Sequence, residues 1–167
     1  PPVTQPDLST LKHTAWKTLT ERGFRADFLP GLLAEVNAMK DPDFGRTEAR
    51  DLSDLLWSSI DNDESKDLDQ IEYIERRGES TGVFVAIADV SVFVAPGSAA
   101  DRHARHNAAS LYTGIQVFPM FPDHLSTNLT SLNEKRKRLA IVVEMTVGPD
   151  GRVRQSDVYP AVVKNRA

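Results

Sequence analysis

The 167-residue chain is long enough for one well-sized core, and its 40% apolar and 26% charged residues are typical of a folded globular protein. It has no cysteine, which excludes disulfides, thiolate metal sites and cysteine nucleophiles and favours a cytoplasmic location. The net charge of −4 argues against nucleic-acid binding, unless acidic residues hold a metal ion or basic residues are concentrated locally.

The amino-terminal part is predicted to be helical. After a proline-rich, flexible lead-in over residues 1–8, Ser9 can cap a helix that Gly23 ends. A second helix is predicted over about residues 30–39, because Pro30 suits a first helical turn. Two short helices joined by a glycine-containing turn fit either a helix-turn-helix recognition unit or a packing unit, and the packing unit is more common.

The remaining chain consists mainly of short β-prone runs, with two further helices predicted over residues 99–112 and 123–132. The class is therefore α+β, with a small helical amino-terminal unit over residues 1–48. A mixed, largely antiparallel β-sheet with helices is expected over residues 49–167. The longest apolar run, residues 83–95, is too short for a membrane helix of about 18 residues, so no membrane association is expected. The β-prone runs are residues 56–60, 70–74, 83–94, 139–147 and 153–163.

An acidic segment over residues 61–69 carries the clearest chemical signal. Six of its side chains are acidic or amide groups, and crowded carboxylates repel one another unless a cation holds them. Oxygen-rich sites of this kind suit a hard divalent ion such as Mg²⁺. Spacing alone leaves two further interpretations open, a solvated acidic loop and a calcium-binding EF-hand.

The EF-hand interpretation depends on the spacing of the acids. Asp61, Asp67, Asp69 and Glu72 stand at positions 1, 7, 9 and 12 of such a loop, as do Asp63 and Ser65 at positions 3 and 5. Position 6 requires glycine for its sharp turn, but Lys66 occupies it. The flanking residues also fit strands at least as well as helices.

Further motifs resemble a known family in their order and approximate spacing. The region from about residue 50 to 165 resembles the first half of the catalytic domain of RNB-family exoribonucleases of the ribonuclease II type. The resemblance begins with Arg50-Asp51-Leu52, Ser59-Ile60-Asp61 and Lys66-Asp67-Leu68-Asp69. It continues through Ile87-Ala88-Asp89-Val90-Ser91, Pro96-Gly97-Ser98 with Asp101, Ser110-Leu111-Tyr112, Phe118-Pro119-Met120-Phe121-Pro122, Leu125-Ser126, Ser131-Leu132-Asn133 and Arg138-Leu139-Ala140.

This resemblance implies a hydrolytic 3′-to-5′ exoribonuclease that needs Mg²⁺ and degrades single-stranded RNA to nucleoside 5′-monophosphates. Asp61, Asp67 and Asp69 take the places of three family aspartates, with catalytic and metal-binding roles. Tyr112 takes the place of a tyrosine that stacks on RNA near its 3′ end. The resemblance also implies that the remaining half of the RNB domain, or a parent chain, is a partner in catalysis. No preference for DNA is expected.

Gln70 departs from the family pattern because it stands where the fourth aspartate is expected. Its amide oxygen can still bind a cation but brings no negative charge. Three outcomes follow in order of preference: an active enzyme with an altered metal shell, a weakened enzyme, or a catalytically silent RNA-binding module.

Three other features have less specific interpretations. The basic run over residues 135–138 fits phosphate contact or, more commonly, a solvated face. His103 and His106 are expected to be surface residues, because no third nitrogen ligand has a fitting spacing. Asp89 fits a structural hydrogen-bonding role as well as a catalytic one.

Overall fold

A computed structural model describes residues 7–46, 48–62 and 64–167 of the chain, with the side chain of Arg46 left out. Most of the predicted flexible lead-in, residues 1–6, and the acidic residue Asp63 lie outside this description. The chain forms two compact units. The first contains the residues up to Met39 together with Val94–Asp123, and the second contains Lys40–Phe93 and His124–Ala167.

The first unit contains three helices and a short hairpin. The carboxylate of Asp7 caps α1 by accepting the N–H of Thr10 at 2.8 Å, and Pro30 opens α2 in the first turn, where its missing N–H costs nothing. The connection between these two helices, residues 22–29, is longer than the 3–4-residue turn of a helix-turn-helix unit. The elements are α1 Leu8–Glu21, α2 Pro30–Ala38, α3 Ala99–Asn107, β4 Leu111–Tyr112 and β5 Val117–Phe118.

Side-chain contacts join α2 and α3 within this unit. The carboxylate of Glu35 accepts the N–H groups of Ala99 at 2.8 Å and Ala100 at 3.2 Å, so α2 supplies hydrogen-bond acceptors to the amino end of α3. His103 is only 2% exposed, and its ring centroid lies 5.0 Å from that of Phe28. The prediction that His103 is a surface residue is therefore wrong, because it packs as part of an aromatic contact.

The second unit is built on a five-stranded sheet with the strand order β1-β7-β6-β3-β2. The first strand pairs in parallel with β7, and every other pairing in this sheet is antiparallel. This confirms the predicted α+β class with a mixed, largely antiparallel sheet. The strands are β1 Arg50–Asp51, β2 Gln70–Arg77, β3 Ser80–Ala88, β6 Lys137–Val147 and β7 Val153–Lys164.

One face of this sheet forms the core. Alternate residues of a strand point to the same face, so Phe84 and Ala86 of β3 lie beside Ala140 and Val142 of β6 in the buried layer. Trp57 is fully buried against this layer, with its ring 6.4 Å from Phe84 in an edge-on arrangement and its indole N–H bonded to the carbonyl of Leu52 at 2.8 Å.

Four predicted boundaries differ from the structure. The helix predicted to residue 112 ends at Asn107, because Ala108 adopts a left-handed backbone with φ of 58°. The strand predicted to residue 94 ends at Ala88, where Asp89 accepts the N–H of Ser91 and starts a helical turn. Residues 123–132 contain only a wide helical turn, His124–Leu129, and residues 56–60 make only isolated bridges.

None of the described helices is long and apolar enough to cross a membrane.

Candidate active site in the acidic loop

The acidic loop, defined as residues 61–69, begins at a fixed point beside the sheet. Ser58 donates its N–H to the carbonyl of Glu72 at 3.0 Å and accepts the N–H of Glu72 at 2.9 Å. Trp57 bridges in parallel to Asn165, whose side-chain amide donates to Ser59 at 3.3 Å. The chain therefore enters the loop from a segment held by β2 on one side and by the end of β7 on the other.

The far end of the loop is held by Ser131, which is fully buried. The hydroxyl of Ser131 accepts the N–H of Leu68 at 3.0 Å and donates to the carbonyl of Lys66 at 2.9 Å. The N–H of Leu132 also donates to the carbonyl of Leu68 at 2.8 Å. These bonds fix the peptide groups on either side of Asp67, so the backbone that carries this aspartate is firmly placed.

Asp69 lies where the acidic loop joins the sheet. Its carbonyl accepts the N–H of Ala88 at 2.9 Å, and the next residue, Gln70, begins β2 opposite Ile87. The aspartates that precede the strand are thus brought to one end of the β2–β3 pair. Sequence reasoning predicted the cluster, and the structure places it at this strand end.

The charges in the acidic loop influence one another. Burial raises the pKa of Asp69, and the negative charges of Asp67 and Asp61 raise it further, although the residue as a whole is exposed. The hydroxyl of Ser65 and the N–H of Asn62, which bond to Asp61 at 2.6 and 2.7 Å, lower the pKa of Asp61. Asp69 therefore lies within electrostatic reach of both Asp67 and Asp61.

Gln70 points its amide group along β2. Its Nε2 donates to Oε1 of Glu72, and the second carboxylate oxygen, Oε2, is buried without a hydrogen-bond partner in the part of the chain that the structure describes. A carboxylate can only accept hydrogen bonds, which fixes the orientation of the amide. The carbonyl oxygen of Gln70 is consequently its remaining acceptor.

The donor set suits a hard divalent cation. Carboxylate and amide oxygens are preferred ligands of Mg²⁺, which commonly uses only one or two protein carboxylates together with water and substrate phosphate. Within residues 7–46, 48–62 and 64–167, no three histidine, aspartate or glutamate side chains group closely enough to hold a metal by themselves. The oxygen atoms of the acidic loop and Gln70 are of the type that such an ion prefers.

The EF-hand interpretation is wrong. An EF-hand loop lies between two helices, but the acidic loop leads into the strand β2 and follows an extended segment that bridges to β2. Glu72, which would be the twelfth ligand of such a loop, lies inside the strand. The fifth position, Ser65, is occupied by its bond to Asp61.

Tyr112 belongs to the first unit and lies on β4, with 67% of its surface exposed. It stands opposite Val117 of β5 in the hairpin register. The predicted stacking on RNA stays a prediction.

Most of the basic run at residues 135–138 is engaged in protein contacts. Arg138 is only 3% exposed, and its guanidinium donates to the carbonyls of Ser131 at 3.1 Å and Asn128 at 2.7 Å. Lys137 bonds to the carboxylate of Asp51 at 3.2 Å. Arg138 therefore serves the fold, and neither of the predicted interpretations describes it, whereas Lys137 lies on an exposed face.

Two residues that shape the site were not assigned a role from the sequence. In the sequence, Ser131 belongs only to the motif Ser131-Leu132-Asn133, and Glu72 stands only at a possible EF-hand position. Ser131 is a small polar residue before a buried leucine, and this pattern is too common to identify the residue that holds the acidic loop. The signal for Glu72 was an acidic residue two positions from Gln70, on the same face of the strand.

Comparisons with known proteins find similarity to the RNB domain family and to ribonuclease R. Residues 49–167 match the RNB domain family. Ribonuclease R of Escherichia coli (strain K12) is 41% identical over 138 residues, which cover 82% of this chain and 16% of that protein. Ribonuclease R of Mycoplasma pneumoniae is 41% identical over 115 residues, covering 68% of this chain and 16% of that protein. The chain therefore spans about a sixth of the length of these relatives.

Solved structures show the same similarity. Mycoplasma genitalium RNase R in complex with ribose methylated single-stranded RNA superposes with a TM-score of 0.83 at 30% identity, covering 89% of this chain and 23% of that one. The same protein in complex with double-stranded RNA also gives a TM-score of 0.83, covering 89% of this chain and 27% of that one.

Proposed function

This chain belongs to the RNB domain family, and from that premise we propose that it carries the aspartate cluster of a hydrolytic 3′-to-5′ exoribonuclease. The proposed substrate is single-stranded RNA, which the enzyme degrades to nucleoside 5′-monophosphates with Mg²⁺ as the cofactor. The observation that carries the proposal is the anchoring of the acidic loop at both ends, which fixes the backbone of Asp67 and Asp69 at the start of β2.

Burial and the negative charges of Asp67 and Asp61 disfavour ionisation of Asp69, so a cation that binds there gains free energy that an isolated carboxylate would not provide. When bound, Mg²⁺ supplies a Lewis acid that activates water and stabilises the charge that grows on a phosphodiester under attack. Asp61, Asp67 and Asp69 would hold the ion or support its shell, and the carbonyl oxygen of Gln70 would be a neutral ligand. Tyr112 would stack on a base of the RNA.

A substitution in the acidic loop tests this proposal. In the polypeptide that carries this sequence, Asp69→Asn should reduce the hydrolysis of single-stranded RNA by about 100-fold or more, because catalytic electrostatic groups commonly contribute this much. RNA binding should persist, since the change removes one negative charge and leaves the backbone anchors in place. The matched control is Asp54→Asn, which removes a fully exposed carboxylate outside the acidic loop. Hydrolysis by Asp69→Asn at the parental rate would refute the assignment.

Gln70 supports a second candidate, a catalytically silent RNA-binding module. The amide brings no charge, so a site with three carboxylates could bind Mg²⁺ too weakly for catalysis. Gln70→Asp separates the candidates, because a silent site should gain hydrolytic activity from the added carboxylate. An active site already tuned to the amide should gain none.

A further inference from the structure

Gln70 and Glu72 lie on the same face of β2. They are two residues apart on the strand and pair with Ile87 and Val85 of β3. The amide of Gln70 donates to Glu72, and the carboxylate cannot donate in return, so the pair has one defined orientation. The carbonyl oxygen of Gln70 is thereby left to accept a bond or bind a cation.

The buried oxygen of Glu72 adds an independent observation. Its Oε2 atom is inaccessible to solvent and lacks a hydrogen-bond donor among the residues described, while Ser58 and Val85 are the backbone neighbours of Glu72 on either side. Burying a carboxylate oxygen without a donor costs free energy. Such an atom in a native structure generally requires a bound water or ion to satisfy it.

We propose that Gln70 and Glu72 act as one unit of the cation site, a step that rests on the proposed function of the acidic loop. Gln70 offers a neutral oxygen ligand, and Glu72 is a positioning residue that orients the amide. The carboxylate of Glu72 also supplies, two residues farther along β2, the negative charge that the amide lacks. The pair thus does the work of one carboxylate at position 70.

Calorimetric titration with Mg²⁺ tests the pair without relying on catalysis. In the polypeptide that carries this sequence, Glu72→Gln should weaken Mg²⁺ binding by about 10- to 100-fold, the usual effect of losing a residue that orients a metal ligand. Glu79→Gln is the matched control, because it removes one exposed carboxylate from the turn that follows β2. This control should bind Mg²⁺ as the parent does. Parental affinity in Glu72→Gln would overturn the proposal.

The double variant Gln70→Asp with Glu72→Gln distinguishes a functional pair from a merely structural one. It moves the carboxylate to position 70 and keeps the net charge, so Mg²⁺ affinity should return to near the parental value. If the Mg²⁺ affinity of the double variant stays low, Glu72 acts only in folding and the proposal is overturned.

The single variant Gln70→Asp covers the case in which Glu72→Gln does not fold. It places two carboxylates side by side, so its melting temperature without Mg²⁺ should fall below that of the parent and rise more steeply on adding Mg²⁺. An equal rise in melting temperature with Mg²⁺ for the variant and the parent would overturn the proposal.

Asp69→Asn separates this proposal from the function on which it rests. If Asp69→Asn weakens Mg²⁺ binding but Glu72→Gln binds Mg²⁺ with parental affinity, only the pair is refuted. If Asp69→Asn binds Mg²⁺ with parental affinity, the proposed function of the acidic loop fails as well.

Discussion

At the scale of single residues, the same side-chain type acquires different properties from its surroundings. Asp61 accepts two short hydrogen bonds that lower its pKa, whereas burial and neighbouring charges raise the pKa of Asp69. Divergent environments for paired carboxylates are characteristic of functional sites, since ion-pair networks tend instead to lower carboxylate pKa values. A bound cation would relieve the repulsion that Asp69 experiences from Asp67 and Asp61.

His103 provides a prediction on pH dependence. Burial lowers the pKa of His103 below its ordinary value of 6.5, and the charges of Arg25 and His106 lower it further. The unfolded chain therefore takes up a proton at this residue before the folded chain does, so the free energy of unfolding should fall as pH decreases through 6.5. The slope that this residue contributes is at most about 1.4 kcal/mol per pH unit.

Urea denaturation of the parent and His103→Gln between pH 7.5 and 5 checks this expectation, with about 0.5-unit steps giving the slope. The variant should have a flatter pH profile, because glutamine does not titrate. His106→Gln is a suitable comparison, since His106 lies on the same helix but is exposed. Parallel pH profiles for the parent and His103→Gln would contradict the assigned cause.

At the scale of elements, the acidic loop depends on a turn that is distant in sequence. Ser131 fixes the peptides around Asp67, and Arg138 in turn bonds to the carbonyl of Ser131. The start of β6 thus supports the loop that precedes β2. This arrangement links the buried arginine to the geometry of the site through one intervening residue.

Arg138→Met tests the support that the arginine gives. It should destabilise the protein by about 1–3 kcal/mol, because it leaves the buried carbonyl of Ser131 and the partly buried carbonyl of Asn128 without their donor. Chemical denaturation measures this change. Arg136→Met, at an exposed position in the same basic run, should change stability by less than about 0.5 kcal/mol. Similar losses in the free energy of unfolding for both variants would mean that Arg138 does not support the structure as assigned.

Local patterns predicted most of the elements but not all of their ends. Short β-prone runs predicted the strands β3, β6 and β7, which the structure contains. The end of β3 depends on a hydrogen bond from Ser91 to Asp89, and the end of α3 on the backbone of Ala108. Alanine carries no sequence signal for a left-handed conformation, so the latter boundary could not be predicted.

The sequence predicted the aspartates of the candidate site but not the residues that hold them in place. The three aspartates were predicted from their crowding and from the family resemblance, and the charges of Asp67 and Asp61 raise the pKa of Asp69. Ser131 and Glu72 contribute through contacts that sequence distance or strand geometry conceals. Pairwise contacts over 60 residues cannot be read from periodicity in one sequence, which is why the anchor was missed.

At the scale of the whole molecule, family membership and net charge give opposite expectations about RNA binding. A charge of −4 is unfavourable for binding RNA, but several acids lie in the acidic loop, where a cation would neutralise them. The family match begins at residue 49, whereas the compact units interleave in sequence, with Val94–Asp123 joining the amino-terminal helices. The proposed boundary between residues 48 and 49 remains a prediction.

The most direct test of the central claim uses RNA labelled at its 5′ end. The polypeptide that carries this sequence is incubated with single-stranded RNA in Mg²⁺, and the products are resolved by length over time. We expect the labelled strand to shorten stepwise from its 3′ end with release of nucleoside 5′-monophosphates, and the reaction to stop when the ion is chelated. Internal fragments, or shortening that continues without divalent ions, would contradict the assignment of the acidic loop as a Mg²⁺-dependent exoribonuclease centre.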